Sequence, residues 1–272
     1  MISVIFVQHN NTNLTVGAVA SFKKYHPREV EIIVVDNAST ELQEVALKNG
    51  LNGVNFIQNE QNVGFGAANN IAAMKAKGDV LLFLNNDTIC QAEILRPVLD
   101  RFGADPTIGV IGPKLLNQDG SFQLSAGWLP SFWREIGDKA AYGLLRQKLR
   151  FWEHGIENYF RAPKKVGWVT GAALFIRKNL FEKLGGFDED LFMYFEDKDI
   201  CLRVWNEGHT VVYDPTVSVI HLKGGSSSSE SPDSIRQIYR RSQMAYYAKH
   251  RPGAEQLLLR AYLGLIGERP GA

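Results

Sequence analysis

The segment Asp79-Val-Leu-Leu-Phe-Leu-Asn-Asn-Asp87 is the part of the sequence from which the fold is best inferred. Its apolar run, residues 80–84, predicts a buried strand, because helices cover both faces of a parallel sheet. The run ends abruptly in two amides and a carboxylate, Asn85, Asn86 and Asp87. These residues are compatible with a simple turn that caps a helix starting near Gln91. They are also candidates for a site, since ligands of open α/β sheets bind at the carboxyl ends of strands.

The composition is that of an ordinary globular protein of one α/β domain or two small ones. Of its 272 residues, 45% are hydrophobic and 22% are charged, and the formal net charge is +1. We therefore expect no nucleic-acid partner. Two cysteines without CxxC spacing predict neither a disulfide framework nor a zinc site, so we expect a reducing, cytoplasmic location. The first residues lack the features of a signal peptide, and no run reaches the ~20 apolar residues that span a bilayer.

Short β-branched runs alternate with helix-length segments through residues 1–112. This alternation predicts an α/β fold with a Rossmann-like, mostly parallel sheet flanked by helices and joined by right-handed crossovers. We assign residues 1–112 to one half of the domain. The predicted strands are 2–7, 31–35, 54–57, 80–84 and 108–111, and the predicted helices are 13–25, 41–49, 64–77 and 91–102.

Polar residues follow each of the first four predicted strands. They are Gln8 to Asn11, Asp36 to Ser39, Asn62 to Gly66 and Asn85 to Asp87. Because the carboxyl ends of parallel strands lie on one edge of a sheet, we expect these side chains to line one crevice. One polar strand end is typical of a turn, whereas four together indicate a site.

Gly64-Phe65-Gly66 opens a predicted helix rich in small residues. A free helix N-terminus of this kind is a natural anion site, because its unpaired N–H groups point outward. The third glycine of a dinucleotide fingerprint is replaced by Asn69, so NAD binding is only a minor alternative.

Residues 113–230 have a different pattern, and we predict that they form the second half of the same domain. Residues 113–165, with a helix over 139–159, indicate either a cover over the crevice or a packing layer with a solvated basic face. A strand over 165–176 contains Thr170 and Gly171, and glycine inside a strand often marks a close approach. Two further strands are predicted at 210–213 and 216–220, separated by Asp214-Pro215.

The predicted helix over 196–207 places one carboxylate on its inward face. Asp197 precedes the apolar residues Ile200 and Cys201 by three and four positions, whereas Glu196 and Lys198 are turned away from it. The helix dipole favours an ionised carboxylate in the first turn, which suits a general base. Helix capping is the structural alternative for this residue.

Residues 231–272 form a predicted helical and basic extension. Such a helix is typical either of contact with an anionic membrane surface or of packing on the domain with a solvated face. Just before it, His221 ends a strand ahead of a Gly/Ser-rich loop, where it can reach a bound cation.

Seven ordered motifs resemble the family 2 inverting glycosyltransferases, and among them the bacterial rhamnosyltransferases of cell-surface polysaccharide assembly. The resemblance covers roughly residues 1–250. It rests on Val35-Asp36-Asn37-Ala38-Ser39, Asn62-Val63-Gly64-Phe65 with Ala68-Asn69-Asn70, Leu84-Asn85-Asn86-Asp87, Thr170-Gly171-Ala172, Gly186-Phe187-Asp188-Glu189, Glu196-Asp197-Lys198-Asp199 and His221 to Gly224.

The resemblance implies a GT-A fold with a smaller mixed C-terminal sheet portion and C-terminal helices. It implies that residues 1–112 are the nucleotide-sugar-binding half and residues 113–230 the acceptor-binding and catalytic half. It also implies that Asp36 holds the donor's pyrimidine base, that Asp87 and His221 bind Mg²⁺ or Mn²⁺, and that Asp197 is the catalytic base. Asn85 replaces the first aspartate of the family's Asp-X-Asp motif. The other expected donor-side residues are Gln8, Asn10, Asn62, Gly64, Asn69, Asn85 and Asn86, and the expected acceptor-side residues are Trp168, Thr170, Gly171 and Glu196.

We therefore expect an inverting transferase that moves a sugar from a nucleotide-sugar, a dTDP- or UDP-sugar and foremost dTDP-L-rhamnose, to a surface-polysaccharide or lipid-linked acceptor. It would work in the cytoplasm, with peripheral contact to the inner face of the plasma membrane through the basic extension. The alternatives are a family 2 enzyme using UDP-Gal, UDP-GlcNAc or UDP-Glc, and a non-catalytic glycan-binding or scaffold module. A nucleotidyltransferase is disfavoured, because the residues after the first strand lack a Gly-rich loop with Arg or Lys.

Overall fold

The computed structural model describes residues 1–26, 30–137, 150–222 and 231–268. Strands and helices alternate through the first 112 residues, as the hydrophobic pattern predicts. The strands are β1 (Ile2–Gln8), β2 (Glu31–Asn37), β3 (Asn55–Asn59), β4 (Val80–Leu84), β5 (Thr88–Cys90) and β6 (Ile108–Leu116). The helices between them are α1 (Thr12–Tyr25), α2 (Glu41–Gly50), α3 (Phe65–Lys75) and α4 (Leu95–Ala104).

The second half adds shorter strands and longer helices. Its strands are β7 (Phe122–Gln123), β8 (Ala126–Gly127), β9 (Lys164–Lys165), β10 (Trp168–Val169), β11 (Ala173–Arg177) and β12 (Thr210–His221). Its helices are α5 (Arg150–Tyr159), α6 (Lys178–Lys183), α7 (Glu196–Asn206), α8 (Pro232–His250) and α9 (Gly253–Leu265), and residues 132–137 are also helical.

The central sheet has the strand order β3-β2-β1-β4-β11-β6-β12-β5. The first four of these strands are parallel, and β11 is antiparallel to both of its neighbours. Strand β12 is parallel to β6 and antiparallel to the short β5. The predicted mostly parallel sheet with a smaller mixed portion is therefore confirmed, and the polar strand ends lie along one edge.

Three details of the predicted strand pattern are wrong. The strand over 165–176 is interrupted at Thr170 to Ala172, where β10 and β11 belong to different sheets. The two strands at 210–213 and 216–220 are one strand, because Pro215 lies in an irregularity that needs no ladder hydrogen bond from its nitrogen. Strand β5 was not predicted at all. Of the predicted helix at 139–159, residues 139–149 lie outside the described part of the chain, and the remainder forms α5.

The irregularity in β12 is a bulge stabilised by one buried carboxylate. Strand β12 advances from Asp214 to Ser218 while its partner β6 advances only from Pro113 to Lys114. Asp214 is fully buried, forms an ion pair with Arg101, and accepts hydrogen bonds from the backbone N–H and the hydroxyl of Thr216. The bulge is thus a built feature of the strand.

Helices α8 and α9 pack on the domain. Tyr246 and Tyr247 of α8 and Leu259 and Leu263 of α9 form an apolar cluster with Phe195. Much of the basic charge in this region is paired, as in Arg240–Glu268, Arg251–Glu255 and Lys249 with Asp188 and Asp190. The packing alternative is therefore what the structure shows, and membrane contact stays a prediction. No helix in the described ranges is both long and apolar enough to cross a membrane.

Candidate active site

A cavity of about 210 Å³ lies where the end of β4 meets the beginning of α7. Val7, Phe65 and Met193 supply its apolar wall. Its polar side chains come from both halves of the chain: Asn85, Asn86, Asp87, Thr170, Glu196, Asp197, Lys198 and His221. Seven of these eight were predicted site residues. Lys198 was not, and neither was Tyr194, which also lines the cavity. Gly171, also predicted, lines the same cavity.

Asp87 and His221 are brought together by strand pairing. His221 lies opposite Thr88 in the antiparallel pair of β12 and β5, and the N–H of Leu222 donates to the carbonyl of Asp87 at 2.9 Å. The imidazole Nε2 consequently lies 3.2 Å from Asp87 Oδ1. The Asp87 side chain is 1% exposed and that of His221 is 14% exposed, so this contact forms at the inner wall of the cavity.

This pair fits a divalent cation that is shared with a ligand. Carboxylate oxygens suit Mg²⁺ and Mn²⁺, and imidazole nitrogen extends the choice towards transition metals. The described residues contain no group of three or more His, Cys, Asp or Glu side chains that could hold a metal. A cation held by Asp87 and His221 would therefore take its remaining ligands from water or from substrate oxygens.

Asp197 lies in the first turn of α7 with its carboxylate fixed from two sides. The N–H of Gly171 donates to Oδ2 at 3.2 Å, and the N–H of Lys198 donates to Oδ1 at 2.8 Å. The Lys198 ammonium lies 3.6 Å from Oδ1 and stacks over the rings of Trp168 and Phe195. A Cβ at position 171 would lie 3.3 Å from the Phe65 ring, a tight contact, and 3.7 Å from Asp197 Cβ, an ordinary one. The predicted inward direction of Asp197 is confirmed.

Glu196, the neighbour of Asp197, is in a different environment. Burial, and secondarily the negative charge of Asp197, raises the pKa of Glu196 to about 8. Its Oε2 atom is buried without a hydrogen-bond partner in the described part of the chain. The prediction that Glu196 turns away from the interior is wrong, since it is only 6% exposed and lines the cavity. The protein interior therefore favours the protonated form of Glu196.

The turn that leads into α7 has a strained backbone. Tyr194 and Phe195 both have positive φ, at 70° and 68°, and the other non-glycine residues with positive φ in the described ranges are Asn10 and Ala38. Asn10 follows β1 and Ala38 follows β2, so both lie at the same sheet edge as the turn. Left-handed backbone costs about 1–2 kcal/mol per non-glycine residue, so surrounding contacts must maintain it. For Phe195 these contacts are the rings of Tyr239 and Tyr246 from α8.

A second polar cluster lies at the ends of β1 and β2. Gln8 Nε2 and Ser39 Oγ both donate to Asp36 Oδ1, and the backbone N–H of Asn10 donates to Ser39 Oγ at 2.8 Å. Asp36 is fully buried, and its Oδ2 atom has no hydrogen-bond partner among the described residues. A buried carboxylate oxygen of this kind requires a donor, which a ligand's N–H can supply.

The glycine-rich start of α3 is not the free helix N-terminus that the sequence predicts. The N–H of Phe65 donates to the carbonyl of Phe192 at 2.7 Å. Gly64 has φ +88°, and a Cβ there would lie 2.4 Å from the same carbonyl oxygen. The glycine therefore allows close contact with the loop before α7. A carbonyl of that loop, and not a phosphate, accepts the hydrogen bond from the first N–H of α3.

Asn62 and Asn69 also hold backbone in place. Asn62 Oδ1 accepts from Asn37 Nδ2 at 2.7 Å and from the N–H of Gly64, and Asn69 Nδ2 donates to the carbonyl of Phe65. Neither residue is among those that line the cavity. Trp168 does not line it either, but its indole ring contacts the Lys198 ammonium, which does. Their predicted contacts to substrate remain untested.

Two buried amides with a role in this site were not predicted as site residues. Asn37 Oδ1 accepts from Asn59 Nδ2 and the N–H of Val63, so one side chain connects β2 to the loop before α3. Gln123 of β7 contacts His221 Nδ1 at 2.7 Å through its Oε1 atom. Asn37 was visible as part of a polar strand end. No sequence pattern marks Gln123, whose partner is 98 residues away.

Comparison with known proteins gives the same class for sequence and structure. Residues 3–185 match the profile described as Glycosyl transferase family 2, and residues 145–264 match Glycosyl transferase family group 2. The N-acetylglucosaminyl-diphospho-decaprenol L-rhamnosyltransferase of Mycobacterium tuberculosis is 29% identical over 253 residues, covering 86% of this chain and 80% of that protein.

Two solved structures have a similar fold. GalNAc-T7 with UDP, GalNAc and Mn²⁺ gives a TM-score of 0.61 at 21% identity, over 99% of this chain and 55% of that one. The mannosyltransferase PcManGT of Pyrobaculum calidifontis with GDP-Man and Mn²⁺ gives 0.58 at 16% identity, over 99% and 81%. The fold is thus the GT-A glycosyltransferase fold. Since the first profile matches more than half of its residues, the chain belongs to glycosyl transferase family 2.

Proposed function

We propose that the protein is an inverting glycosyltransferase that moves a sugar from a nucleoside-diphosphate donor to an acceptor hydroxyl. The observation that carries the proposal is the placement of two groups in one cavity. Asp197, held by the N–H of Gly171, lines the same space as the Asp87–His221 pair. A base and a cation-binding pair on one cavity are the two requirements for displacing a diphosphate with a hydroxyl.

In the proposed reaction Asp197 accepts the proton of the acceptor hydroxyl. The hydroxyl oxygen forms a bond to the anomeric carbon while the bond from that carbon to the phosphate oxygen breaks. The nucleoside diphosphate leaves with the electron pair, and the configuration at the anomeric carbon inverts. A divalent cation held by Asp87 and His221 would supply positive charge to the departing diphosphate.

The donor base would bind at the cluster around Asp36. Its buried, unpartnered Oδ2 atom can accept a hydrogen bond from a pyrimidine N3–H, while Gln8 and Ser39 occupy the other oxygen. A pyrimidine N3–H fits this atom, as does guanine N1–H, whereas adenine has no ring N–H to donate.

For the substrates, we propose L-rhamnose from dTDP-L-rhamnose as the donor sugar and a lipid-linked or surface-polysaccharide glycan as the acceptor. The support is the similarity to the mycobacterial protein named as a rhamnosyltransferase acting on N-acetylglucosaminyl-diphospho-decaprenol. A donor panel of dTDP-L-rhamnose, UDP-Gal, UDP-GlcNAc and UDP-Glc, scored for binding and slow hydrolysis, tests this choice. Preference for a UDP-sugar would overturn the rhamnose assignment and keep the class.

Asp197→Asn tests the catalytic role. The amide keeps the shape of the side chain but cannot take a proton, so we expect transfer to fall by about 10²–10⁴-fold. Donor binding, measured by calorimetry, should be unchanged. Asp100→Asn, an exposed carboxylate on α4 with a side chain 72% exposed, is the matched control.

Retained turnover in Asp197→Asn would refute the base assignment. Absence of transfer and hydrolysis in the unmodified protein with every donor, despite binding of a glycan, would favour the non-catalytic alternative.

A further inference from the structure

We propose that Gln123 is a positioning residue that fixes the tautomer of His221 and so directs its Nε2 lone pair at the cation site. This inference rests on the proposed function, because it concerns the Asp87–His221 pair of that site. Gln123 is a buried side chain on β7. It belongs to none of the family motifs and has no part in the proposed reaction.

The orientation of the Gln123 amide follows from its hydrogen bonds. Its nitrogen lies 2.9 Å from Asn117 Oδ1 and 3.2 Å from the backbone carbonyl oxygen of His221. A backbone carbonyl only accepts, so the atom facing it must be the NH₂ group. The Asn117 amide is itself oriented, because its nitrogen donates to Ser121 Oγ and to the carbonyl of Phe122. The Gln123 oxygen is therefore the atom that faces the imidazole.

That oxygen determines which ring nitrogen carries hydrogen. Gln123 Oε1 lies 2.7 Å from His221 Nδ1, and an amide oxygen can only accept. Nδ1 must then be the donor, which leaves Nε2 of the neutral ring with a bare lone pair. Gln123 is only 3% exposed, so water does not compete freely for this bond.

The lone pair faces a second acceptor. His221 Nε2 lies 3.2 Å from Asp87 Oδ1, so a lone pair on Nε2 faces a carboxylate oxygen, an arrangement that a cation or a proton between the two atoms stabilises. Metal-bound histidines generally donate their other N–H to a carboxylate, carbonyl or water, and loss of such a partner weakens metal affinity by about 10–100-fold. Gln123 supplies the equivalent acceptor here.

Sheet pairing keeps the three groups in register. Strand β6 pairs with both β7 and β12: Leu115 of β6 lies opposite Gln123 and also opposite Val219. Pairing with the same stretch of β6 therefore fixes the positions of Gln123 and His221. The pairing of β5 with β12 brings Asp87 beside them. The tautomer is consequently imposed by the framework before any cation arrives.

The test compares Gln123→Met with Gln123→Glu by Mn²⁺ binding in the presence of dTDP, followed by electron paramagnetic resonance. Methionine has a similar length but no acceptor for Nδ1–H, so we expect Mn²⁺ affinity to fall by about 10–100-fold. Glutamate keeps the acceptor for Nδ1–H but loses the NH₂ group that faces the His221 carbonyl, so we expect its affinity to lie clearly above that of Gln123→Met. A residue that merely supported β7 would weaken binding equally in both variants.

The histidine tautomer gives a second readout that needs no metal. In ¹⁵N-histidine-labelled protein, the His221 Nδ1 signal should be that of a protonated nitrogen, and this should be lost in Gln123→Met. Gln256→Met, which removes a glutamine of α9 bonded to the Arg251 carbonyl, is the matched control.

Equal Mn²⁺ affinity in Gln123→Met and the unmodified protein would overturn this inference and leave the proposed function intact. If the unmodified protein neither binds Mn²⁺ nor transfers or hydrolyses any sugar of the donor panel, the proposed function fails and this inference with it. A Gln123→Glu variant as weak as Gln123→Met would also overturn the positioning role.

Discussion

Glu196 and Asp197 are neighbours in the sequence, yet the fold gives their carboxyl groups different surroundings. Asp197 receives two backbone N–H groups and lies near the Lys198 ammonium, whereas Glu196 Oε2 is buried without a hydrogen-bond partner in the described ranges. Paired carboxyls with such different environments commonly divide the roles of acid and base. Here the two carboxyl groups differ because Asp197, and not Glu196, accepts a hydrogen bond from the N–H of Gly171.

The raised pKa of Glu196 predicts a pH-dependent stability. The unfolded chain releases this proton near the ordinary value of 4.5, and the folded protein retains it until about 8. Between these values the folded state binds more protons, so the free energy of unfolding falls as pH rises. The negative charges of Asp197 and Asp199 oppose ionisation of Glu196, and the positive charge of Lys198 favours it.

Glu196→Gln isolates this effect, because the amide does not titrate. In urea unfolding at pH 6, 7 and 8, its stability relative to the unmodified protein should increase with pH, by up to about 1.4 kcal/mol per pH unit. Above pH 9 the difference should stop growing. Parallel pH profiles of the two proteins would contradict the burial of an uncharged Glu196.

At the scale of elements, the contact between α3 and the loop before α7 should be sensitive to one methyl group. Gly64→Ala places a Cβ 2.4 Å from the Phe192 carbonyl oxygen and also imposes a left-handed alanine. Backbone strain and overpacking together should cost about 2–5 kcal/mol. Gly53→Ala is the matched control, since Gly53 has φ +66° with nothing within 4 Å of the added atom.

The control should lose only the strain, about 1–2 kcal/mol. The free energy of unfolding of both variants is to be measured by chemical denaturation. Equal destabilisation of the two variants would mean that the loop yields to the new side chain.

Elements of the first half could be predicted because local pattern and environment agree there. Strand β4 is apolar since helices cover both of its faces, and the site follows from where such strands end. Strand β12 was divided in two at Pro215, because a proline usually ends a strand and the bulge that accommodates it depends on Arg101 and Thr216. Strand β5 has only three residues and exists through its pairing with β12.

The candidate site was predictable where a residue's direction follows from helical or strand periodicity, as for Asp197 and Asp87. It was not predictable where a role depends on a partner distant in sequence. Gln123 and the Phe192 carbonyl are of this second kind, since β7 and the loop before α7 show no pattern that indicates their contacts.

At the scale of the whole molecule, the C-terminal helices maintain the strained entrance to α7. Phe195 is left-handed and packs against Tyr246 of α8, while His250 Nε2 at the end of α8 contacts Asp199 Oδ1 at 2.6 Å. Ser242 of α8 also donates to the carbonyl of Met193. Helix α8 therefore supports the turn that leads into α7, although the sequence alone left open whether residues beyond 231 pack on the domain.

Tyr246→Ala should remove this support. Tyr246 is fully buried, so truncation should cost about 3–5 kcal/mol and lower transfer through the relaxed turn. Tyr246→Phe is the control: its hydroxyl has no hydrogen-bond partner in the described part of the chain, so its loss should be nearly neutral. Unfolding and steady-state transfer measured on both variants check the assignment, and unchanged turnover in Tyr246→Ala would separate stability from catalysis.

The bulge in β12 also decides which way His221 points. Side chains alternate between the two faces of a strand, so a change of register by an odd number of residues reverses every side chain that follows. From Asp214 to Ser218 the strand gains four positions against one on β6, an excess of three. A regular strand of the same sequence would therefore present His221 to the opposite face of the sheet. His221 faces Asp87 because the bulge adds an odd number of residues to β12. Asp214 stabilises this bulge, although it does not line the cavity.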